Sequence, residues 1–259
     1  MWNFHENFEL WAGQTKLPGN IERVVSSANL QLIDRSLLNS KFNIDRDIGI
    51  QLWHKLRLGG NWIIKEKFSI SQGEGRNITE GNIGGLQYTS RLELLPFGEF
   101  SSKGDYSQGD LKREKSIKAM FGFTYDINEN AVKSRSNMGS YLIQSSGGLF
   151  ETDITTIFLD GVIKYNGFAL TGEYANRDAD QIEALEEDGR TKTGAVVGAG
   201  SASNIQGSYL FKNNFEITAR YTNINFKKIT RLSDLNQITF GVSKYVVGHS
   251  LKIQADISL

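Results

Sequence analysis

Apolar and polar residues alternate with a period of two along most of this chain. The final stretch is the clearest case, with Leu251, Ile253 and Ile257 on one face and Lys252 and Gln254 on the other. Successive side chains of a β-strand point to opposite faces, so this period indicates strands. The pattern predicts an all-β fold with about eleven strands, at residues 8–15, 48–58, 62–70, 86–94, 116–126, 155–165, 168–174, 205–211, 215–221, 237–245 and 250–259.

Short and long connections between the predicted strands follow one another in a regular order. Tight-turn sequences occur at residues 59–60, 166–167, 213–214 and 248–249. Long polar links occur at residues 17–46, 72–84, 128–153, 177–203 and 227–235. Only the link at 98–115 is long where a short turn is due. A soluble sandwich also alternates, but short turns at one end and long loops at the other favour an antiparallel transmembrane β-barrel.

Aromatic residues near the strand ends fit the same interpretation. They lie on or close to the apolar face, where an outer-membrane barrel carries aromatic girdles at the two membrane interfaces. The alternative is that they cover the edges of a soluble sandwich. The residues are Tyr165, Tyr174, Phe211, Phe215, Tyr221, Phe226 and Tyr245.

The link at residues 17–46 is far longer than an ordinary hairpin connection, and such loops are usually functional or disordered. Apolar residues such as Ile21, Val25, Leu32 and Leu38 argue against disorder, because they must pack onto something. If the flanking strands belong to a barrel, the natural place for this loop is the lumen. Its bases then put fixed positive charge at the narrowest point of the channel.

Several motifs carry a resemblance to a known family. Residues 13–18 (GQTKLP), 34–36 (DRS) and 46–49 (RDIG), with Ser26-Ser27, are followed by residues 91–98 (RLELLPFG) and 109–115 (GDLKREK). Together they resemble the phosphate-selective porin O and P family, over nearly the whole chain and with decreasing sharpness. The resemblance implies a usually trimeric barrel of about sixteen strands in the outer membrane of a Gram-negative bacterium. It also implies that anions, phosphate or polyphosphate, pass through a basic constriction formed by an inward-folded loop.

The same resemblance sets an expectation about completeness. Residues 1–259 are expected to form a single, partial barrel domain, with about four strands missing before Phe8 and one after Leu259, because single-chain bacterial barrels have even strand numbers. Residues 1–6 also lack the basic start and apolar run of a signal peptide, so the numbering is expected to begin inside a longer chain. The family's tyrosine cluster near the throat has no counterpart before Tyr88, which keeps a general porin open as an alternative.

Composition excludes several classes of function. The 259 residues carry 29 Lys+Arg against 29 Asp+Glu, so net charge predicts neither a nucleic acid nor an acidic partner. There is no cysteine, and the three histidines are widely separated, which excludes thiol chemistry and shows no metal-ligand spacing. We therefore expect no catalytic residues, no metal and no cofactor. Residues 194–200 resemble a nucleotide-binding loop only loosely and are interpreted as an external loop, and residues 181–188 as a short acidic helix or a surface turn.

The candidate chemistry is anion attraction by side chains that face the lumen. Arginine offers paired donors to phosphate and lysine a point charge, and rings of such bases select anions. The candidate constriction residues are Lys16, Arg23, Ser26, Ser27, Arg35 and Lys41. The candidate basic wall is Lys55, Arg57, Lys65, Lys67 and Arg91. For any single base, the alternative is that it solvates the wall or pairs with a neighbouring acid.

These observations predict passive diffusion of anions, with phosphate or polyphosphate as the implied solute, through a homotrimeric outer-membrane porin. Two alternatives stay open. One is a general porin of low selectivity. The other is a plugged barrel that acts as a surface-binding or scaffold component.

Overall fold

The computed structural model describes residues 1–78 and 83–259, and these residues form an all-β chain. The strands are β1 Trp2–His5, β2 Phe8–Lys16, β3 Arg46–Arg57, β4 Ile63–Ser71, β5 Gln87–Leu95, β6 Lys118–Ala131, β7 Lys133–Arg135, β8 Met138–Tyr141, β9 Thr152–Tyr165, β10 Phe168–Ala179, β11 Glu183–Leu185, β12 Lys192–Val196, β13 Gly200–Leu210, β14 Phe215–Phe226, β15 Leu235–Val247 and β16 Leu251–Ser258. Twelve of them form one antiparallel sheet in chain order, β1-β2-β3-β4-β5-β6-β9-β10-β13-β14-β15-β16. β7-β8 and β11-β12 are separate hairpins within long connections.

All eleven strands predicted from the period of two are present, with bounds that differ by a few residues. The strand β1 was not predicted, because its four residues are too short to display an alternating pattern. Of the two alternatives for residues 181–188, the short helix is wrong, because β11 starts at Glu183 and pairs with β12. The surface turn is confirmed only for Glu187 and Asp188, which lie exposed in the turn between these two strands. The external loop expected at 194–200 is also partly wrong, since its flanks belong to β12 and β13. Part of the predicted link 72–84 lies outside the described residues.

The burial of the main sheet is the reverse of that of a soluble sandwich. In β14, Phe215 and Ile217 are 48% and 52% exposed, whereas Glu216 and Arg220 on the other face are 0% and 4% exposed. Most of the twelve strands show the same distribution, with exposed apolar side chains on the outer face and buried polar side chains on the inner face. The large apolar surface is therefore the outer one.

Contacts across the polar face require the sheet to be curled. Phe42 lies four residues before β3 begins at Arg46, and its ring stacks on Phe226 of β14 with the centroids 6.0 Å apart. Seven interstrand steps separate β3 from β14, which is about 34 Å in a flat sheet. Four extended residues span about 14 Å, and the two side chains with the gap between their rings add only about 16 Å. The polar face is therefore the concave inside of the sheet.

The strands β1 and β16 stand at the two ends of the sheet order. No pairing between them is present in residues 1–78 and 83–259. The shown architecture is thus a curled, twelve-stranded antiparallel sheet. Within the described ranges, no helix has the length and apolar character needed to cross a membrane.

The predicted aromatic residues divide between the two faces. Tyr165, Phe215 and Tyr221 are among those exposed on the outer face, as expected. Tyr245 is an exception, because it is 3% exposed and its hydroxyl donates to Glu216 on the inside. Phe226 is another, because its ring stacks inward on Phe42 with the ring centroids 6.0 Å apart. Both were assigned to the girdle wrongly.

Candidate functional site

Two long connections occupy the inside of the curled sheet. The first inner segment, residues 17–45, follows β2 and holds helix α1 (Ile21–Val24), a 3₁₀ turn (Ser27–Asn29) and helix α2 (Leu37–Phe42). The second inner segment, residues 96–117, follows β5 at the end of the sheet that carries the short turns. The two segments enter from opposite ends and are in contact inside.

The contact between the segments is a set of hydrogen bonds around Gln108. The backbone N–H of Gln108 donates to the carbonyl of Asn29 at 3.0 Å, and its side-chain oxygen accepts from the backbone N–H of Gln31 at 2.8 Å. The side chain of Gln31 continues to the wall, where it donates to Glu216 of β14 at 2.7 Å and accepts from Gln206 of β13. Both segments are thereby fixed to the strands as well as to one another.

Apolar clusters and one buried arginine hold the first inner segment. Leu38 and Phe42 of α2 pack on Phe158 and Ile224, which face inward from the wall. Arg177 of β10 is fully buried and donates to the carbonyls of Lys41 at 3.0 Å and Phe42 at 2.5 Å. These are orphan carbonyls at the C-terminal end of a helix, so the arginine serves as its cap.

The predicted constriction bases are engaged within the first inner segment. Arg23 forms an ion pair with Asp45. Burial raises the pKa of Asp45, but the hydrogen bond and charge of Arg23 outweigh it and bring the pKa below the ordinary value. Arg35 donates to the carbonyls of Glu22 and Val25, and Lys16 to those of Arg23, Val24 and Val25. Three of the four predicted bases thus hold the fold of the segment.

The remaining predicted constriction residues are placed differently. Ser26 caps the 3₁₀ turn by accepting from the amide of Ala28 at 3.4 Å, and Ser26 and Ser27 are both exposed. Lys41 is half-buried near the end of α2, and its side chain makes no hydrogen bond or ion pair within residues 1–78 and 83–259. The structure therefore does not gather all six predicted residues into one ring.

One carboxyl group of the first inner segment is buried without a close ionic partner. Glu22 is 2% exposed and accepts from the amide and hydroxyl of Ser36, while the nearest base is Arg220 at 3.7 Å. Burial raises the pKa of Glu22, although the Ser36 hydrogen bonds and Arg220 act in the opposite direction. This group adds little negative charge to the interior at low pH.

The predicted basic wall is paired with acids along its whole length. Lys55 and Arg57 both face Glu99 of the second inner segment, and Lys65 donates to Asp105 at 2.5 Å. The remaining pairs are Lys67 with Glu93 at 2.8 Å, Arg91 with Glu93 at 2.7 Å and Arg91 with Asp160 at 2.7 Å. Each base of this set has a carboxylate partner, so its field is partly cancelled.

Arg91 is the most completely engaged of these bases. It is 2% exposed, and its guanidinium forms a paired interaction with Asp160 in addition to bonds with Glu93 and the carbonyl of Gly19. Gly122 of β6 leaves room for this arrangement, because a Cβ there would lie 2.3 Å from Asp160 and 2.4 Å from Arg91. Arg91 therefore joins three strands to the first inner segment.

Open space remains along the inner face of β2–β4. A cavity of about 890 Å³ begins near the β1–β2 turn and is lined by Trp11, Trp53 and Lys67 among others. A second cavity of about 330 Å³ lies toward Lys16 and Arg46 and shares the same three residues. Because they share these lining residues, the two cavities lie side by side, and we call them together the wall channel.

The smaller cavity has a purely basic set of charges. Lys16, Arg46 and Lys67 line it, and no carboxylate side chain does so among the described residues. The side chain of Arg46 makes no hydrogen bond within the described ranges, and its ionic neighbour Asp45 is 3.6 Å away. Among the three bases that line this cavity, Arg46 therefore has the most available donors.

Two inward tryptophans were missed by sequence reasoning. Trp53 lies between Gln51 and Lys55 on the polar face of β3, and Trp11 pairs with Gln51 from β2. The spacing of the residues does predict the inward direction of Trp53. Residues 51, 53 and 55 are two apart, so their side chains lie on the same face of the strand. Neither tryptophan was assigned to a face of its strand.

Comparisons with known proteins give little more. No established family model matches this sequence, and no solved structure matches it. A protein of Aquifex aeolicus (strain VF5), described as an uncharacterized protein, is 27% identical over an alignment of 270 positions that covers 97% of this chain and 59% of that protein. The chain thus spans about three-fifths of the length of this relative. The resemblance drawn from the motifs stays a prediction.

Proposed function

We propose that this chain forms the wall of an outer-membrane β-barrel channel through which anions diffuse passively. The observation that carries the proposal is the reversed burial of the sheet, with apolar side chains outside and polar ones inside. Such a surface is costly in water and suits a lipid environment, where a barrel satisfies its backbone groups between strands. The outer membrane of a Gram-negative bacterium, a homotrimer and phosphate or polyphosphate as solute are the parts of the proposal that rest on the motif resemblance.

The preference for anions is attributed to the wall channel. Lys16, Arg46 and Lys67 line its narrower part without a facing carboxylate among the described residues. A passage with one sign of charge and low-dielectric walls focuses the field and concentrates ions of the opposite sign. Lys16 is bound to backbone carbonyls and Lys67 to Glu93, so Arg46 contributes most among the three. The other predicted bases contribute less because they lie outside this lining.

A charge reversal at Arg46 tests this assignment. In planar bilayers, the wild-type protein is expected to show a reversal potential in a KCl gradient that indicates anion preference. Arg46→Glu should lower the anion-to-cation permeability ratio by about fivefold, because reversing a charge beside the path changes the free-energy difference between an anion and a cation by about 1 kcal/mol. Arg23→Glu is the matched control, and its effect should be smaller because Arg23 is paired with Asp45 outside the cavity lining.

Two results would contradict the proposal. If the two variants shift the reversal potential equally, the wall channel is not the selective path. If the wild-type protein shows no preference between anions and cations, it is a general porin.

A second candidate function is a plugged barrel that acts as a surface-binding or scaffold component. The meeting of the two inner segments at Gln31 and Gln108 favours it, because together they fill much of the interior. This candidate predicts insertion into bilayers without measurable current. Conductance of the purified protein therefore separates it from the channel.

A further inference from the structure

The wall channel is larger than an inorganic phosphate requires. Its wider cavity measures about 890 Å³ and its narrower one about 330 Å³. Pockets that hold organic ligands commonly span about 300–1,000 Å³. The size therefore suits an organic solute that carries an uncharged group in addition to its anionic group.

Stacked aromatic rings form one side of this space. The ring centroids of Trp11 and Trp53 are 5.0 Å apart with 30° between the planes. Their indole N–H groups already donate to Glu9 at 3.3 Å and to Gln51 at 3.0 Å. The rings consequently present apolar surfaces to the cavity and no unsatisfied donor, which suits contact with another planar ring.

The charges divide the wall channel into two unlike halves. In the wider cavity, Lys55 and Lys65 are balanced by Glu99 and Asp105. In the narrower cavity, Lys16, Arg46 and Lys67 face no lining carboxylate in the described part of the chain.

Lys67 lies where the two halves join. Its ammonium group is 4.7 Å from the ring centroid of Trp53 and also donates to Glu93 at 2.8 Å, so Lys16 and Arg46 supply most of the excess positive charge of the narrower cavity. An anionic group is therefore favoured at one end of the stacked rings, with an uncharged body along them.

From this arrangement we propose that the wall channel binds organic anions that carry a planar ring, of the phosphate monoester class. The anionic group lies between Lys16, Arg46 and Lys67, and the ring lies against Trp11 and Trp53. The proposal rests on the proposed channel, and it specifies which anions that channel prefers. Phosphate monoesters fit best because their two negative charges match Lys16 and Arg46, while Lys67 beside them is balanced by Glu93.

Binding to the purified full-length chain in detergent tests the proposal without requiring current. The probes are phenyl phosphate, inorganic phosphate and benzyl alcohol, measured by isothermal titration calorimetry. Phenyl phosphate should bind about tenfold more tightly than inorganic phosphate, as expected for stacking on an aromatic side chain. Benzyl alcohol, which lacks the charge, should bind more weakly than either anion.

Two variants separate the contribution of the aromatic ring to binding from that of the basic residues. Trp53→Leu should remove most of the advantage of phenyl phosphate and leave the affinity for inorganic phosphate within about twofold, since only the stacking is lost. Arg46→Gln should weaken both anions by a similar factor, because it removes paired donors from the shared anionic group. Trp62→Leu is the control, because Trp62 is 46% exposed in the β3–β4 turn and should change neither affinity.

The results separate this proposal from the channel itself. Equal affinity of the wild-type protein for phenyl phosphate and inorganic phosphate overturns it, whether or not any variant folds. An unchanged preference in folded Trp53→Leu also overturns it. Bilayer current with anion preference but without preference for the ring rejects the ligand class and leaves the channel standing. Ring-dependent binding without any current supports the site and rejects the channel.

Discussion

The two sides of the interior differ sharply although the same strand pattern produces both. On the filled side, formed by β5, β6 and β9–β16, the inner segments pack against the wall and its charged side chains are bonded to them. On the open side, formed by β2–β4, the inward face borders the two cavities of the wall channel. Bases on the filled side therefore stabilise the fold by bonding to the inner segments. Bases on the open side also border open space that a solute can enter.

The difference shows why the position of a base on the polar face does not determine its function. Arg91 and Lys67 are both inward and both bonded to Glu93. Arg91 also donates to the carbonyl of Gly19 and lines neither cavity of the wall channel, whereas Lys67 lines both. The placement of the inner segments, and not the strand register, decides which bases a solute can reach.

The largest expected effect is loss of stability when the filled side loses Arg91. Arg91→Leu leaves the buried Asp160 without its paired donors and deprives Glu93 of one partner. Breaking a buried ion pair by removing one partner costs about 3–5 kcal/mol. The measurement is unfolding in detergent, followed by the loss of β-sheet circular dichroism.

Arg231→Leu is the matched control for this prediction, because the side chain of Arg231 is 79% exposed. Its effect should stay within about 0.5 kcal/mol. Equal stabilities of the two variants would mean that Arg91 does not hold the filled side together.

An intermediate effect is expected where the two inner segments meet. The double variant Gln31→Ala, Gln108→Ala removes the bond from the backbone amide of Gln31 to the Gln108 side chain and the bonds of the two side chains to Ser208, Gln206 and Glu216 on the wall. At about 0.5 kcal/mol for each lost bond, the attachment of the two segments should weaken by about 2–3 kcal/mol. The filled side then opens more often, and bilayer conductance should rise at least about twofold.

The control for this prediction is a pair of glutamines in the long external connections. Gln144 and Gln181 donate only to the nearby carbonyls of Leu185 and Glu183. Replacing both by alanine should leave conductance unchanged. If conductance instead stays constant in the Gln31, Gln108 variant, the inner segments do not limit the current and the comparison of the two sides loses its functional meaning.

Much of the scaffold was predictable from the sequence, because strand periodicity is local. Residues 250–259 alternate without interruption and became β16, and the short turns at 166–167 and 213–214 connect the expected hairpins. The parity of Lys65 and Lys67 also placed them correctly on the inner face. By contrast, the pairs Arg23–Asp45 and Lys65–Asp105 depend on how two loops fold inside the sheet, which no local pattern specifies.

The position of the available bases was harder still to predict. Arg46 was counted among the bases of the 17–46 link but left out of the candidate constriction residues, yet it borders the narrower cavity. Trp53 interrupts a polar face, and only the finished packing shows that its ring borders open space. A large apolar side chain at a polar position was therefore left without an assignment, although a wide channel can hold an aromatic ring there.

The smallest expected effect is a pH dependence that belongs to the filled side. His249, in the β15–β16 turn, bonds to the carbonyl of Gln108 at 3.0 Å, near Lys252 and Lys164 and against the ring of Tyr245. Burial lowers the pKa of His249 to about 4, and the two lysines add to the effect against the hydrogen bond to Gln108. A depressed pKa means that the unfolded chain takes up the proton first as pH falls.

The sign of the pH effect follows directly. The contribution of His249 to stability is fully present above pH 6.5 and is lost as the pH falls from 6.5 toward 4. Because the ring is only partly buried, we expect a loss of about 1 kcal/mol between pH 7.5 and 5. His249→Gln keeps a donor for the Gln108 carbonyl without titrating, so its unfolding midpoint should fall less over this range, whereas the exposed control His5→Gln should follow the wild-type protein. Parallel curves for His249→Gln and the wild-type protein would show that the turn does not hold the second inner segment in place, and the filled side would then depend on its ion pairs and buried apolar contacts alone.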